Sequence, residues 1–243
     1  MTSSRCIRLR RPAVLADAGG RFVPTTIPLD EIDDAWSRAR ERNPRLFDGP
    51  LWHVRGVSRN GHGGVTVHVV ESSYRFHAVR ALGVDTGIRP LGVKAIVMRG
   101  TRVLMGRRSA QVHSQAGRWE FVPGGTLPPG VEPEAQVARE LAEECGWRCD
   151  ATPRPIALLF DDLCHTWEIV HRASGRPEAA ARRSAESGWE YDEIAELQPE
   201  SISKRTLSRA AELMTALLAT EPIDGGTGAG GDASSGAGAE RGA

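Results

Sequence analysis

The 243-residue sequence has little cysteine, almost no lysine and no excess of either charge. Its four cysteines, Cys6, Cys145, Cys149 and Cys164, contain no C-x-x-C pair, and the chain is too long for a small disulfide-stapled scaffold. They read as reduced thiols, with Cys145 a small apolar residue on a helix. Lys+Arg and Asp+Glu both number 31. That balance argues against a general nucleic-acid binder, which carries a basic excess or stripe, but it leaves room for a local phosphate pocket. No apolar run approaches the roughly 20 residues of a bilayer-spanning helix. The first residues, MTSSRCIRLRRP, lack the apolar stretch of a signal peptide. No membrane or nucleic-acid partner is expected, and the cytoplasm is the expected compartment. Lys94 and Lys204 are the only lysines. The other basic residues are arginines, whose planar forks suit phosphate and carboxylate, although an arginine-rich coding bias yields the same picture.

The hydrophobic fraction of 40% and charged fraction of 26% are those of a globular protein, and the length suits one large domain or two small ones. Ile32, Trp36 and Ala39 lie at helical spacing over Glu31–Glu41, and Asn43-Pro44 ends that helix, because the residue before proline avoids the α region. Leu51–Val57 and Val65–Val70 read as strands around a glycine-rich hairpin turn, and Tyr74–Val79 as a further extended piece. From about Pro90 the pattern changes. Val93–Met98, Thr101–Met105, Trp119–Val122, Ile156–Phe160 and Trp167–His171 read as strands. Glu134–Cys145 is a helix with Val137, Leu141 and Cys145 on one face and Gly146 as its cap. Arg172–Ser187 reads as a polar loop and Ser203–Leu218 as a closing helix. After residue 223 the Gly/Ala/Ser-rich composition cannot offset the cost of ordering, so a disordered tail is expected.

The informative segment is GGTLPPGVEPEAQVARELAEECGW, Gly124 to Trp147. Glu140, Glu143 and Glu144 stand at i, i+3 and i+4, which brings their carboxylates within about 6 Å on one helical face. Such crowding costs stability unless a cation neutralises it, and hard oxygen ligands select Mg²⁺. Arg139 can pair with a neighbouring carboxylate, and Gly124-Gly125 allows a sharp turn that brings a backbone carbonyl to the same face. A solvated helix face is the alternative for an arbitrary helix. The ordered string R-E-L-A-E-E-C-G-W at a set distance from Gly125 argues against coincidence here.

This segment resembles the Nudix box, G-x5-E-x7-R-E-U-x-E-E-x-G-U, where U is bulky and apolar. Gly125, Arg139, Glu140, Leu141, Glu143, Glu144, Gly146 and Trp147 match, while Val131 stands where the family has its first glutamate, with Glu132 beside it. The resemblance spans about residues 88–222. It implies an α/β fold: a mixed sheet sandwiched between helices over 89–222, a small N-terminal α/β domain over 1–88 and the tail over 223–243. It implies a hydrolase of nucleotide diphosphate links, with Glu140, Glu143, Glu144 and the Gly125 carbonyl as ligands of Mg²⁺, or alternatively Mn²⁺, and Glu143 and Arg139 in the catalytic machinery.

Outside the box, Glu186, three residues before Trp189, occupies the place of the general base in many members, although an exposed loop glutamate would occupy it equally. Glu168 is a second candidate, with a solvent-facing strand position as its alternative. Arg107-Arg108, at the end of a strand, are candidates to grip a substrate phosphate. Asn43–Leu51 together with Tyr74-Arg75 looks like the front domain of UDP-glucose-hydrolysing Nudix proteins, which release UMP and a sugar 1-phosphate. On that resemblance Arg45 and Arg75 are candidate substrate contacts, and a UDP-sugar is the leading substrate. Another nucleotide, whether a nucleoside di- or triphosphate, a dinucleotide or a coenzyme, would use the same chemistry. A non-catalytic nucleotide-sensing module is the other class of reading.

Overall fold

The computed structural model describes residues 3–112, 114–178 and 183–218, the side chains of Ala185 and Glu186 excepted. The expected tail lies outside the described residues, as does the Glu186 side chain. In chain order the elements are strands β1 (Arg5–Arg8) and β2 (Val14–Arg21), helix α1 (Leu29–Arg42), strands β3 (Pro50–Arg59) and β4 (Val65–Ser73), and the short helix α2 (Tyr74–Ala78). Strands β5 (Leu91–Arg99), β6 (Arg102–Arg108), β7 (Trp119–Phe121) and β8 (Gly124–Thr126) lead to helix α3 (Pro133–Cys145). Strands β9 (Trp147–Cys149), β10 (Arg154–Asp161) and β11 (Thr166–Pro177), helix α4 (Ala185–Glu190), strand β12 (Tyr191–Leu197) and helices α5 (Pro199–Ile202) and α6 (Arg209–Leu218) complete the described chain.

Helix α3 forms where the periodicity places it. Pro133 sits in its first turn, where a missing N–H costs nothing. Gly146 ends it at φ 67, donating its N–H to the Ala142 and Leu141 carbonyls. Val137 and Leu141 are fully buried, each contributing about 2 kcal/mol of hydrophobic stabilisation.

Nine strands make one mixed sheet with the central order β1-β10-β11-β5-β6-β12, while β7, β8 and β9 pair with β6, β5 and β11. β11 and β5 run parallel; the other pairs of this sheet are antiparallel. Side chains alternate across β5, so that Val93, Ala95 and Val97 pack with Val137 and Leu141 of α3. Ile96 packs on the other side with Ala210, Met214 and Leu217 of α6. The mixed α/β sheet is thus covered by a helix on each face, as expected.

A second, three-stranded sheet, β2-β4-β3, joins the front of the molecule, where α1 packs through Ile32 and Ala35 against Leu51, Phe76 and Val79. β1 precedes these elements in the chain yet pairs with β10, from Arg5↔Phe160 to Arg8↔Ala157, and so lies in the large sheet rather than with the rest of residues 1–88.

Four local expectations change. Tyr74–Ala78 is helical rather than extended, because the Asp48 carboxylate accepts the Arg75 N–H and the Gly49 carbonyl accepts that of Tyr74, satisfying the first turn from a distant loop. β11 continues to Pro177 through its pairing with β5 and β9, where a loop was expected. Residues 185–187 of the same expected loop begin α4, which runs on to Glu190. The last helix starts at Arg209, since residues 206–208 are held against β7: Trp119 N–H donates to Thr206 and Ser208 N–H to Trp119.

Candidate active site

Two of the expected ligands, Glu140 and Glu144, face β8 where it passes under α3, while Glu143 does not. Gly125 pairs with Val93 of β5, and a Cβ there would overlap the Glu140 carboxylate, so only glycine leaves that carboxylate its place. Gln136, one turn earlier on α3, donates to both the Thr126 carbonyl at 3.0 Å and Glu140 Oε1 at 2.5 Å, clamping helix to strand. The Gly124 N–H points at Glu144 Oε2 at 3.3 Å. Glu140 and Glu144, at i and i+4, therefore both turn inward.

Burial governs their chemistry. Glu140 is pushed up to about 7, first by burial and then by the neighbouring Glu143. Glu144 is held well above the usual carboxylate range by burial, with Glu190 and Glu140 adding repulsion. Glu143 differs, with its side chain 54% exposed. Arg139 lies 3.9 Å from each of Glu140 and Glu143, loosely bridging them as expected for this arginine. Among the described residues no three acidic, histidine or cysteine side chains converge closely enough to enclose a metal ion as they stand. Glu144 is buried and Glu140 half-buried; the two carboxylates nevertheless make a hard-oxygen donor set, and no cation is hydrogen-bonded to either among the described residues. This donor set fits a divalent metal. Val131 packs against the core, and Glu132 makes no side-chain cap bond to α3.

Beneath the turn lies an ionic cluster absent from the sequence-based expectation. Lys94 of β5 donates to Glu120 of β7 at 3.1 Å, Arg108 donates to the same carboxylate at 2.7 Å, and the Tyr191 hydroxyl donates to it at 2.8 Å. Lys94 and Arg108 hold Glu120 down at about 2 despite its burial. Glu190, raised by burial, lines the same space. A lysine inside the apolar run LGVKAIV was the available sign, since a buried lysine requires a partner.

The outer candidates separate. Arg107 and Arg108 are neighbours on β6, so their side chains take opposite faces. Arg108 lines the cleft, but Arg107 pairs at the surface with Asp192 at 2.8 Å and Glu193 at 3.5 Å, away from the site. Arg75 is also tied up, to Asp33 at 2.6 Å and Asp48 at 3.8 Å, joining α2 to α1 and the preceding loop. Arg45 does face the cleft, beside Leu46 and the 77% exposed Phe47. Glu168 does not face solvent: it lines the cleft, and burial pushes it up to about 7. The cleft, about 610 Å³ on its outer side, runs from Arg45 and Phe47 past Glu140 and Glu144. It continues inward from Gly124, Gly125 and Glu190 to Gln115, Cys164 and Glu168.

Arg183 fastens α3 to α4, donating to the Glu144 carbonyl at 3.0 Å and to the Ser187 and Tyr191 carbonyls at 3.1 Å. No helix among the described residues is long and apolar enough to cross a membrane.

The chain is 35% identical over 98 residues to "Putative 8-oxo-dGTP diphosphatase 2" of Mycobacterium tuberculosis, a match spanning 38% of this chain and 67% of that relative. Among solved structures it is similar to a MutT protein from Methanosarcina mazei Go1 (26% identity, 51% of this chain and 88% of that one, TM-score 0.41). It is also similar to a MutT NUDIX hydrolase from Burkholderia pseudomallei (19% identity, 52% and 95%, TM-score 0.43). The NUDIX domain family model matches residues 88–213, which contain β5 to β12, the box helix and its buried carboxylates. The chain belongs to the NUDIX domain family and is a pyrophosphohydrolase.

Proposed function

We propose that the protein is a Mg²⁺-dependent hydrolase of a nucleoside diphosphate-linked compound, with a UDP-sugar as substrate and UMP and a sugar 1-phosphate as products. The observation that carries this reading is the cleft, which leaves the Gly124–Gly125 turn in two directions, toward Arg45 and Phe47 and toward Gln115 and Cys164. A substrate with an organic group on each side of its diphosphate fills two arms, whereas a triphosphate fills one and leaves its tail at the metal. The resemblance of Asn43–Leu51 to UDP-glucose hydrolases supports the same choice.

Glu140 and Glu144, with the Gly125 carbonyl, would hold Mg²⁺, joined by Glu143, whose exposed side chain is free to turn toward them. When bound, Mg²⁺ supplies charge neutralisation at phosphate oxygens and makes water more acidic. Arg108 at the cleft wall would bind a phosphate oxygen, Arg139 would hold Glu140 and Glu143 in register, and Glu186 would accept the proton of the attacking water. Arg45 and Phe47 would meet the outer organic group, the ring of Phe47 offering a stacking surface.

A second reading, a nucleoside triphosphate as substrate, is favoured by the 35% identical relative, whose name denotes a diphosphatase of 8-oxo-dGTP. A panel of UDP-glucose, ADP-ribose, dinucleotides and nucleoside triphosphates, assayed with Mg²⁺ and with product masses from ¹⁸O water, decides between them. A UDP-sugar preferred at least tenfold in kcat/KM upholds the first reading. A triphosphate preferred by that margin establishes the second, and binding without turnover of any of them overturns both.

A further inference from the structure

We infer that Glu168 is a specificity-determining residue, its carboxylate receiving a neutral hydrogen-bond donor, an N–H or O–H, from the non-phosphate part of the bound nucleotide. The inference rests on the nucleotide-hydrolase reading but not on which nucleotide is used.

Glu168 lies near the start of β11, opposite Gly92 of β5. The missing side chain of Gly92 opens the space there: a Cβ at that position would stand 3.9 Å from Glu168 Cγ and 2.7 Å from the Gly125 carbonyl oxygen. The Glu168 side chain thus borders the cleft next to the catalytic turn rather than in its outer arm. Its Oε2 is buried and has no hydrogen-bond partner. An ordinary buried carboxylate is satisfied by neighbours, because an unpaired one costs about 1–3 kcal/mol or more. The nearby cations are turned elsewhere: Lys94 and Arg108 bond to Glu120, and neither bonds to Glu168 Oε2. Burial raises the Glu168 carboxyl to about 7, so its charged form, the better acceptor, gains when a donor reaches it.

The chemistry of that donor follows from charge. A phosphate oxygen is an acceptor and an anion, and a carboxylate would repel it, so Glu168 marks the part of the substrate that carries no phosphate. Asp161 is already occupied, with its Oδ1 accepting the Leu163 and Cys164 N–H groups, whereas Glu168 Oε2 is fully buried without a partner among the described residues. Two kinds of group present such a donor: the imide or amine N–H of a nucleobase and the hydroxyls of a sugar. A site built to bond such a group rejects an analogue lacking it, because its own polar atom is then left bare.

The test uses Glu168→Gln and Glu168→Ala in the full chain, assayed on whichever panel nucleotide the wild type hydrolyses fastest, with inorganic pyrophosphate as a competing inhibitor that has no neutral donor. Both variants are expected to melt no lower than wild type, since each removes a buried carboxyl that lacks a partner at one oxygen. Glu168→Ala should raise KM about tenfold or more with kcat within threefold, Glu168→Gln should fall between the two, and pyrophosphate inhibition should be unchanged. A base N-methylated analogue and a deoxy-sugar analogue then separate the sources: the one lacking the recognised donor should lose about tenfold with wild type and nothing further with Glu168→Ala. Unaltered KM, a collapse of kcat alone, or an equal change in pyrophosphate inhibition overturns the inference. Loss of the nucleotide-hydrolase reading would instead appear as a wild type without turnover on the whole panel.

Discussion

Lys94 and Glu120 form a buried ion pair under the Gly124–Gly125 turn, Nζ and Oε2 3.1 Å apart, their side chains only 8% and 6% exposed. Glu120 also receives Arg108 and Tyr191, so one carboxylate balances two cations on the cleft floor. Replacing it with an apolar residue leaves two buried cations without their partner, which costs about 3–5 kcal/mol. Glu120→Leu is therefore expected to lower the urea midpoint sharply at pH 7, and Lys94→Met to do so less, because Glu120 keeps Arg108. Glu120 is depressed to about 2 in the fold from an ordinary 4.5. Its contribution is present above pH 4.5 and is lost as pH falls toward 2. The gap in stability between wild type and Glu120→Leu should accordingly narrow at pH 3. A gap that stays constant with pH would contradict the pairing.

Glu140 and Glu144 repel one another, and neither is hydrogen-bonded to a cation among the described residues. Mg²⁺ binding to the folded protein should raise the melting temperature, by an amount that grows with its concentration. Glu140→Gln and Glu144→Gln should each reduce kcat about 10²-fold or more, and the double variant should lose the Mg²⁺-induced rise in melting temperature. Full activity in both single variants would remove the metal assignment.

Gly125 is the one residue that lets the strand pass under Glu140. Gly125→Ala places a methyl in the Glu140 carboxylate, which must swing off its bond from Gln136, so the change moves the carboxylate more than it costs stability. Its activity should fall at least tenfold. Gly56→Ala, where an added Cβ meets nothing within 4 Å, serves as the control and should match wild type in both measurements.

Arg107 and Arg108 differ by one position and should differ in effect. Arg107→Ala removes an exposed, solvent-screened pair and should leave stability near that of wild type and kcat/KM within twofold of it. Arg108→Ala removes a cleft-facing guanidinium bonded to Glu120 and should lower both stability and kcat/KM, measured by denaturation and by steady-state kinetics. Equal losses in the two variants would contradict the opposite facing of their side chains.

What the sequence by itself determined is whatever depends on near neighbours. The box helix needs only the spacing of Val137, Leu141 and Cys145, a proline at its start and Gly146 at its end, and each works within a few residues. The crowding of Glu140, Glu143 and Glu144 is a consequence of helical geometry alone, whereas the mixed sheet between helices was implied by the resemblance that the box carries. The tertiary structure decided the rest. It chose Glu140 and Glu144 to turn inward and left Glu143 outside, because β8 lies on one side of the helix and solvent on the other. It made Tyr74–Ala78 helical through Asp48, a residue of a different loop. It sent β1 across to β10 and brought Lys94, Glu120, Arg108 and Tyr191, spread over 98 positions, into one cluster. Pairing register and burial depend on partners distant in the chain, and the energy of an ion pair or an unpaired carboxylate exists only once the fold has removed both from water.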